Sequence, residues 1–138
     1  MGTVPNSEIK KALSESSIFA YPSTWLETSC ISLMEAMSAG LVCVHPNYGA
    51  LFETGANWTF MYQYNQTQKD HAQIFYNALK GAIVQYLDSP LDQTILALKG
   101  QKSYTDLMYS WDGRKDQWTV VLESLLYEHK RIRYKLKH

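Results

Sequence analysis

Cysteine is scarce, long apolar runs are missing, and residues 12–68 hold no Lys or Arg; each lack narrows what the protein can be. Two cysteines, Cys30 and Cys43, do not make a disulfide framework in 138 residues. Cys43 sits in the apolar run Leu41-Val42-Cys43-Val44 and reads as core. Cys30 falls near a predicted helix start, where a thiol can acquire a lowered pKa. The four histidines, His45, His71, His129 and His138, share no metal-ligand spacing with one another or with the cysteines, so no metal is expected. No apolar stretch approaches the roughly 18–20 residues that a bilayer span needs. Met1-Gly2-Thr3-Val4-Pro5-Asn6 has neither a basic n-region nor an apolar h-region, so no signal peptide is read and a cytoplasmic location is the default expectation.

What is present fits one globular domain over residues 1–138, with 46% apolar and 19% charged residues. Net charge is zero but unevenly spread. Residues 129–138 form a basic tail with Lys130, Arg131, Arg133, Lys135 and Lys137 and no acid. The rest holds eight basic against thirteen acidic residues, a body charge of −5. Such a tail can meet acidic lipid, which leaves membrane association open, or nucleic acid, or it can be a solvated helix end or a tail that pairs with the acidic body. An acidic body without a basic stripe argues against nucleic acid as a partner.

Ser7 is placed to cap a short helix carrying Ile9, Ala12 and Leu13 on one side. Ile18 to Tyr21 reads as a strand closed by Pro22-Ser23. A helix follows from about Ser29 or Cys30 to Ala39, ended by Gly40, and then a second strand from Leu41 to Val44. Strand, helix, strand without a hairpin signal is a parallel βαβ unit. Trp58 to Met61 is a third candidate strand. Helical periods then run over about Asp70–Leu87, Leu91–Met108 and Gly113–Tyr134, with Phe75, Leu79, Ile83 and Leu87 as expected core. The fold class is therefore α/β: a Rossmann-like parallel sheet of about three strands with flanking helices and a helical C-terminal portion.

In open parallel sheets ligands bind outside the carboxyl ends of the strands. Here those ends are Pro22 to Ser29 and His45 to Glu53, and the intervening helix points its free N–H groups at the same place. A phosphate-sized anion is the natural occupant. Glu35 lies inside a helix that is apolar nearly all round, and a buried carboxylate must be paired or hydrogen-bonded. Either a structural salt bridge or cap holds it, or it lines the cleft and accepts from ligand hydroxyls. Glu27, eight residues earlier, can reach the same cleft.

Tyr21-Pro22-Ser23, the block from Glu27 to Met37, and Ala39 to Val44 together resemble the glutamate–seven–glutamate signature of retaining GT-B glycosyltransferases. Glu8 to Ser17, Gly49 with Glu53, and Tyr109-Ser110-Trp111-Asp112 extend the likeness over about residues 3–127. The resemblance implies a partial C-terminal domain of that fold, the second half of its nucleotide-sugar-binding domain. It implies that Glu35 binds the ribose of a UDP- or GDP-type sugar donor, and that Glu27 is a donor-sugar and catalytic residue. The backbone amides of Thr28, Ser29, Cys30 and Ile31 would contact sugar and diphosphate. No cofactor or metal is required.

Two departures stand out. The family often has glycine between the glutamates, where this chain has Thr28-Ser29-Cys30. The acceptor domain and the cation-bearing first half of the donor domain are also not here, and no Arg or Lys lies between Lys11 and Lys69. A missing N-terminal portion or a second chain is the expected partner, alongside the nucleotide sugar. A bare strand edge at residues 18–21 makes a homodimer a further expectation. Three readings follow: an inactive glycosyltransferase fragment, a non-catalytic binding or interaction module that keeps the fold, and a remnant with an empty cleft.

Overall fold

The computed structural model describes residues 4–135, with side chains through Lys130. The chain divides after Thr105 into two compact units.

The first unit opens with α1 (Asn6–Ser14), whose N-cap is Pro5, with φ −59° and ψ 148°. The Pro5 carbonyl accepts from Glu8 N–H at 3.0 Å. Ser7 therefore lies inside the first turn and does not cap. A proline with fixed φ starts the helix just as well and lies two residues earlier. Of the expected apolar side, Leu13 packs on the core while Ile9 is exposed.

Three short strands, β1 (Ile18–Ala20), β2 (Val42–Pro46) and β3 (Phe60–Tyr62), form a parallel sheet in that order. Ile18 pairs with Val42, and Val44 with Phe60. All five residues of β2 are buried, as a central strand covered on both faces requires. Its side chains alternate between two apolar clusters. Cys43 joins Leu33, Ala36, Met37 and Leu51 on one face. Val42 and Val44 join Tyr62 and Ala82 on the other, where Phe75, Ala78 and Leu79 also pack. Burying one such aliphatic side chain stabilises the fold by about 1.5–3 kcal/mol.

Helix α2 (Ile31–Ser38) connects β1 to β2. Gly40 ends it at φ +80°, with Gly40 N–H on the Met37 carbonyl and Leu41 N–H on Ala36, both at 3.1 Å. This Schellman closure is the end that the glycine predicted. Helix α3 (Leu51–Gly55) was not expected. Helix α4 (Gln68–Asp88) covers the second face, and α5 (Leu91–Tyr109) follows it. On α4 the buried residues are His71 and Ala82, whereas Ile83 is 37% and Leu87 72% exposed. The packed face runs through Phe75, Ala78, Leu79, Ala82 and Tyr86, so the spacing found it through Leu79 and then missed it by one residue at Ile83 and Leu87.

Gln101 of α5 is 2% exposed and its amide donates to the carbonyls of Leu41 (2.8 Å) and Met37 (3.2 Å). Lys102 donates to Ser38 O at 3.0 Å. The C-terminal end of α2 is thus held by an amide and a cation, the charge that end of a helix dipole favours.

The second unit contains α6 (Trp111–Lys135). It begins two residues before the expected Gly113 because Ser110 caps it, accepting the Gly113 N–H on its side-chain oxygen at 3.2 Å. The Arg114 guanidinium donates to the Met108 carbonyl and lies 5.6 Å from the centre of the Tyr109 ring. The basic tail continues α6 as far as Lys135, but its side chains from Arg131 onward lie outside the described residues. Among the described residues no helix is long and apolar enough to cross a membrane.

Candidate functional site

The carboxyl ends of β1 and β2 open onto two loops, residues 21–30 and 47–50, that are fastened to each other. Pairing continues one residue past β1, with Tyr21 N–H on the Val44 carbonyl at 2.9 Å. The Tyr21 ring stacks on Phe19 at 5.4 Å between centroids. Its hydroxyl donates to Glu27 Oε1 at 2.7 Å. Burial, aided by that carboxylate, pushes the Tyr21 phenol up to about 12. It remains a donor throughout the physiological range, and it fixes the half-buried Glu27 side chain.

The Glu27 main chain is held independently. Its carbonyl accepts from Ala50 N–H at 2.8 Å. Gly49, at φ +57°, lies so close that a Cβ there would stand 2.6 Å from the Glu27 carbonyl oxygen and 2.9 Å from its nitrogen. Only glycine meets both demands, the left-handed backbone and the close approach. The glycine that follows β2 is therefore a spacer for the loop that follows β1.

Beyond Glu27 the chain enters α2. Cys30 stands at the N-cap without a side-chain cap, and no acidic residue occupies the first turn. Among the described residues no carboxylate is hydrogen-bonded to the first N–H groups of α2, although the Cys30 sulfur lies beside those of Leu33 and Ser32, and the positive end of the dipole favours an anion. The Cys30 thiol is only 3% exposed. Burial raises its pKa and outweighs the nearby Leu33 N–H, so the lowered value that its helix-start position suggested does not arise. Cys30 belongs to the core, together with Cys43, whose thiol burial raises to about 12.

Glu35 lies four residues past Ile31 on α2, about 6 Å along the helix axis. The helix is less enclosed than its composition suggests: Ile31 is 67% exposed, and Glu35 is half-buried instead of buried. Among the described residues no salt bridge or cap holds Glu35. Its carboxylate makes no hydrogen bond or ion pair with another described residue. Thr28 and Ser29 are exposed in the loop. The structure brings Tyr21, Glu27, Cys30 and Gly49 together. It records no direct interaction between Glu27 and Glu35.

On the far side, Asn47 ties the loop after β2 to the end of β3. Its N–H donates to the Tyr62 carbonyl at 2.8 Å, and its side-chain oxygen accepts from Tyr64 N–H at 2.9 Å. Tyr48 stacks on Tyr64 with centroids 3.9 Å apart. His45 is fully buried, with Nδ1 at 3.0 Å from the Pro46 carbonyl and Nε2 at 2.8 Å from the Thr59 hydroxyl. Burial lowers its pKa. Tyr21 entered the sequence reading only at the end of the first strand and within Tyr21-Pro22-Ser23, without its bond to Glu27, and Asn47 and Tyr48 carried no expectation. Their signal was their place just past strand ends, which marks a loop without telling which side chain turns inward.

Among the described residues no group of three or more His, Cys, Asp or Glu side chains could hold a metal ion. A model of the glycosyl transferases group 1 family matches residues 1–80, which span the whole sheet, both glutamates and the first half of α4. Comparison with curated proteins and with solved structures found no match.

Proposed function

This chain belongs to the glycosyl transferases group 1 family, and on that premise we propose that it holds a nucleotide-diphosphate sugar of UDP or GDP type at the carboxyl ends of β1 and β2. The observation that carries the reading is the half-buried Glu35 carboxylate, free of protein partners among the described residues, on the helix whose open N-terminus meets the Glu27 loop. An acceptor of this kind suits the paired hydroxyls of a ribose. The diphosphate lies at the helix N-terminus against the amides of Thr28 to Ile31. Glu27 faces the donor sugar, where Tyr21 holds one of its oxygens and leaves the other for a sugar hydroxyl or for charge that develops at the reacting carbon. The domain is of GT-B type and transfer proceeds with retention. A front-face course, in which the leaving diphosphate helps to deprotonate the acceptor, needs no enzymic nucleophile.

The chain alone binds donor weakly and does not transfer. Between Lys11 and Lys69 there is no Lys or Arg. An exposed helix dipole contributes roughly 0.3–1 kcal/mol toward an anion, too little to balance a diphosphate. The cations and the acceptor site come from residues outside this stretch, on the same polypeptide or on a second chain. The lack of nearby cations also favours a second reading, a module that keeps the fold and the ligand contact without catalysis.

Calorimetric titration with UDP, GDP and their sugar conjugates tests the donor site. Glu35→Ala is expected to weaken the preferred donor by about tenfold or more, the loss of one or two charge-assisted hydrogen bonds. Equal affinity in wild type and variant would remove Glu35 from the site.

A further inference from the structure

The other end of the sheet holds a cavity that the donor site does not use. It lies where the amino ends of β2 and β3 meet α4 and α5, with a volume of about 400 Å³. Sites for small molecules commonly fall in the range of about 300–1,000 Å³. Length along β2 separates it from the Glu27 loop by about 15 Å.

Its lining is specific in character. None of the described residues that line it is charged. The polar groups are amides and hydroxyls, among them Asn57, Gln85, Gln93 and Thr94. The side chains of these four make no hydrogen bond to another described residue, so their donors and acceptors are available to an occupant. Trp58 and Tyr86 supply aromatic surface. The indole of Trp58 is fixed in place: a Cβ on Gly100 would meet it at 2.6 Å, and the Tyr104 ring lies 6.0 Å away between centroids. At 42% exposure it still presents surface to solvent.

Each class of small molecule can be weighed against that lining. An anion finds no cation and a cation finds no carboxylate, so a nucleotide or a phosphorylated metabolite is a poor occupant. A purely apolar molecule strips water from the amides and returns no hydrogen bond. An uncharged polyhydroxylated ring meets every demand. Its C–H face stacks on the negative π-face of an aromatic ring, and its hydroxyls both donate to and accept from primary amides. We propose that this cavity is a second binding site, separate from the donor cleft, that takes an uncharged mono- or disaccharide. The assignment rests on the lining alone and stands or falls independently of the donor site.

Amide chemical shifts of the labelled chain, followed during titration with glucose, mannose, N-acetylglucosamine and maltose, test it. Glucose 6-phosphate and glucuronate serve as charged counterparts. At least one neutral sugar is expected to give saturable shifts around residues 57–60 and 82–94, with no comparable response to the charged pair. Ala97→Trp, at an exposed helix position that lines the cavity, fills the space and abolishes the response. Gln93→Ala weakens it by about tenfold, the loss of one hydrogen-bonding amide. Glu35→Ala leaves it unchanged, which separates this site from the donor cleft. No saturable response to any neutral sugar, shifts centred on residues 21–35, equal binding of the charged sugars, or an Ala97→Trp variant that keeps its fold and its sugar response would each overturn the proposal.

Discussion

At the carboxyl ends of β1 and β2 the chain places Glu27 and Glu35, an uncapped helix start, and two loops clasped through Gly49. At the amino ends of β2 and β3 it places an uncharged cavity walled by Trp58, Tyr86 and Gln101, the last of which anchors α5 to the end of α2. The same short sheet supports both. A parallel sheet makes its two ends inequivalent, because every crossover helix starts at one end and finishes at the other. Helix α2 shows this within eight residues: its C-terminal end is satisfied by Gln101 and Lys102, and its N-terminal turn carries no acidic residue and no oxygen cap. The end saturated with protein contacts carries stability, and the unsaturated end is where a charged ligand has something to gain.

That contrast can be broken one end at a time. The largest effect is expected from Gly49→Ala. The left-handed backbone alone costs a non-glycine residue about 1–3 kcal/mol, and the new Cβ would also collide with the Glu27 main chain. The urea midpoint should fall, and the nucleotide response should vanish while that to neutral sugars persists. A variant as stable as wild type would show that the two loops are not clasped. Gln101→Leu comes next. It leaves the Met37 and Leu41 carbonyls without their donor, at about 1–3 kcal/mol. Denaturant unfolding should register the loss with the nucleotide affinity unchanged, since the open end of α2 is not touched.

Acid gives the smallest effect. His45 has a folded pKa below its ordinary 6.5 because burial disfavours the charged ring. Its contribution is therefore complete above about pH 6.5 and is lost as pH falls toward and through the lowered folded value. Unfolding free energy measured from about pH 7.5 down to about pH 5.5 should decline, with a slope from this group no steeper than about 1.4 kcal/mol per pH unit. His45→Gln should flatten that slope, and an unchanged slope in the variant would assign the acid sensitivity elsewhere.

The sheet was legible because continuous apolar runs separated by a helix and a glycine admit few other arrangements. The α2 terminus was legible because Gly40 supplies the one backbone conformation that a Schellman closure needs. Helix α3 was not legible, since Leu51-Phe52-Glu53-Thr54-Gly55 is too short to show a period. The position of Glu27 in a loop was readable, but its link to Tyr21 was not. Those residues are six apart across an irregular turn, where no periodicity says which side chains meet. Gln101 escaped notice for a different reason: a glutamine in a helix normally reads as solvated, and its burial becomes visible only once the end of α2 is seen to need a donor.

Mapping the bound donor onto the backbone distinguishes the two ends of the sheet most sharply. Amide shifts of the full chain should be followed as UDP-, GDP- and ADP-sugars are added. Saturable shifts are expected for one base over residues 27–35, absent in Glu35→Ala, with the residues around Trp58 and Tyr86 undisturbed. Shifts centred on Trp58 and Tyr86, or the same shifts at residues 27–35 in wild type and Glu35→Ala, would contradict that placement of the donor.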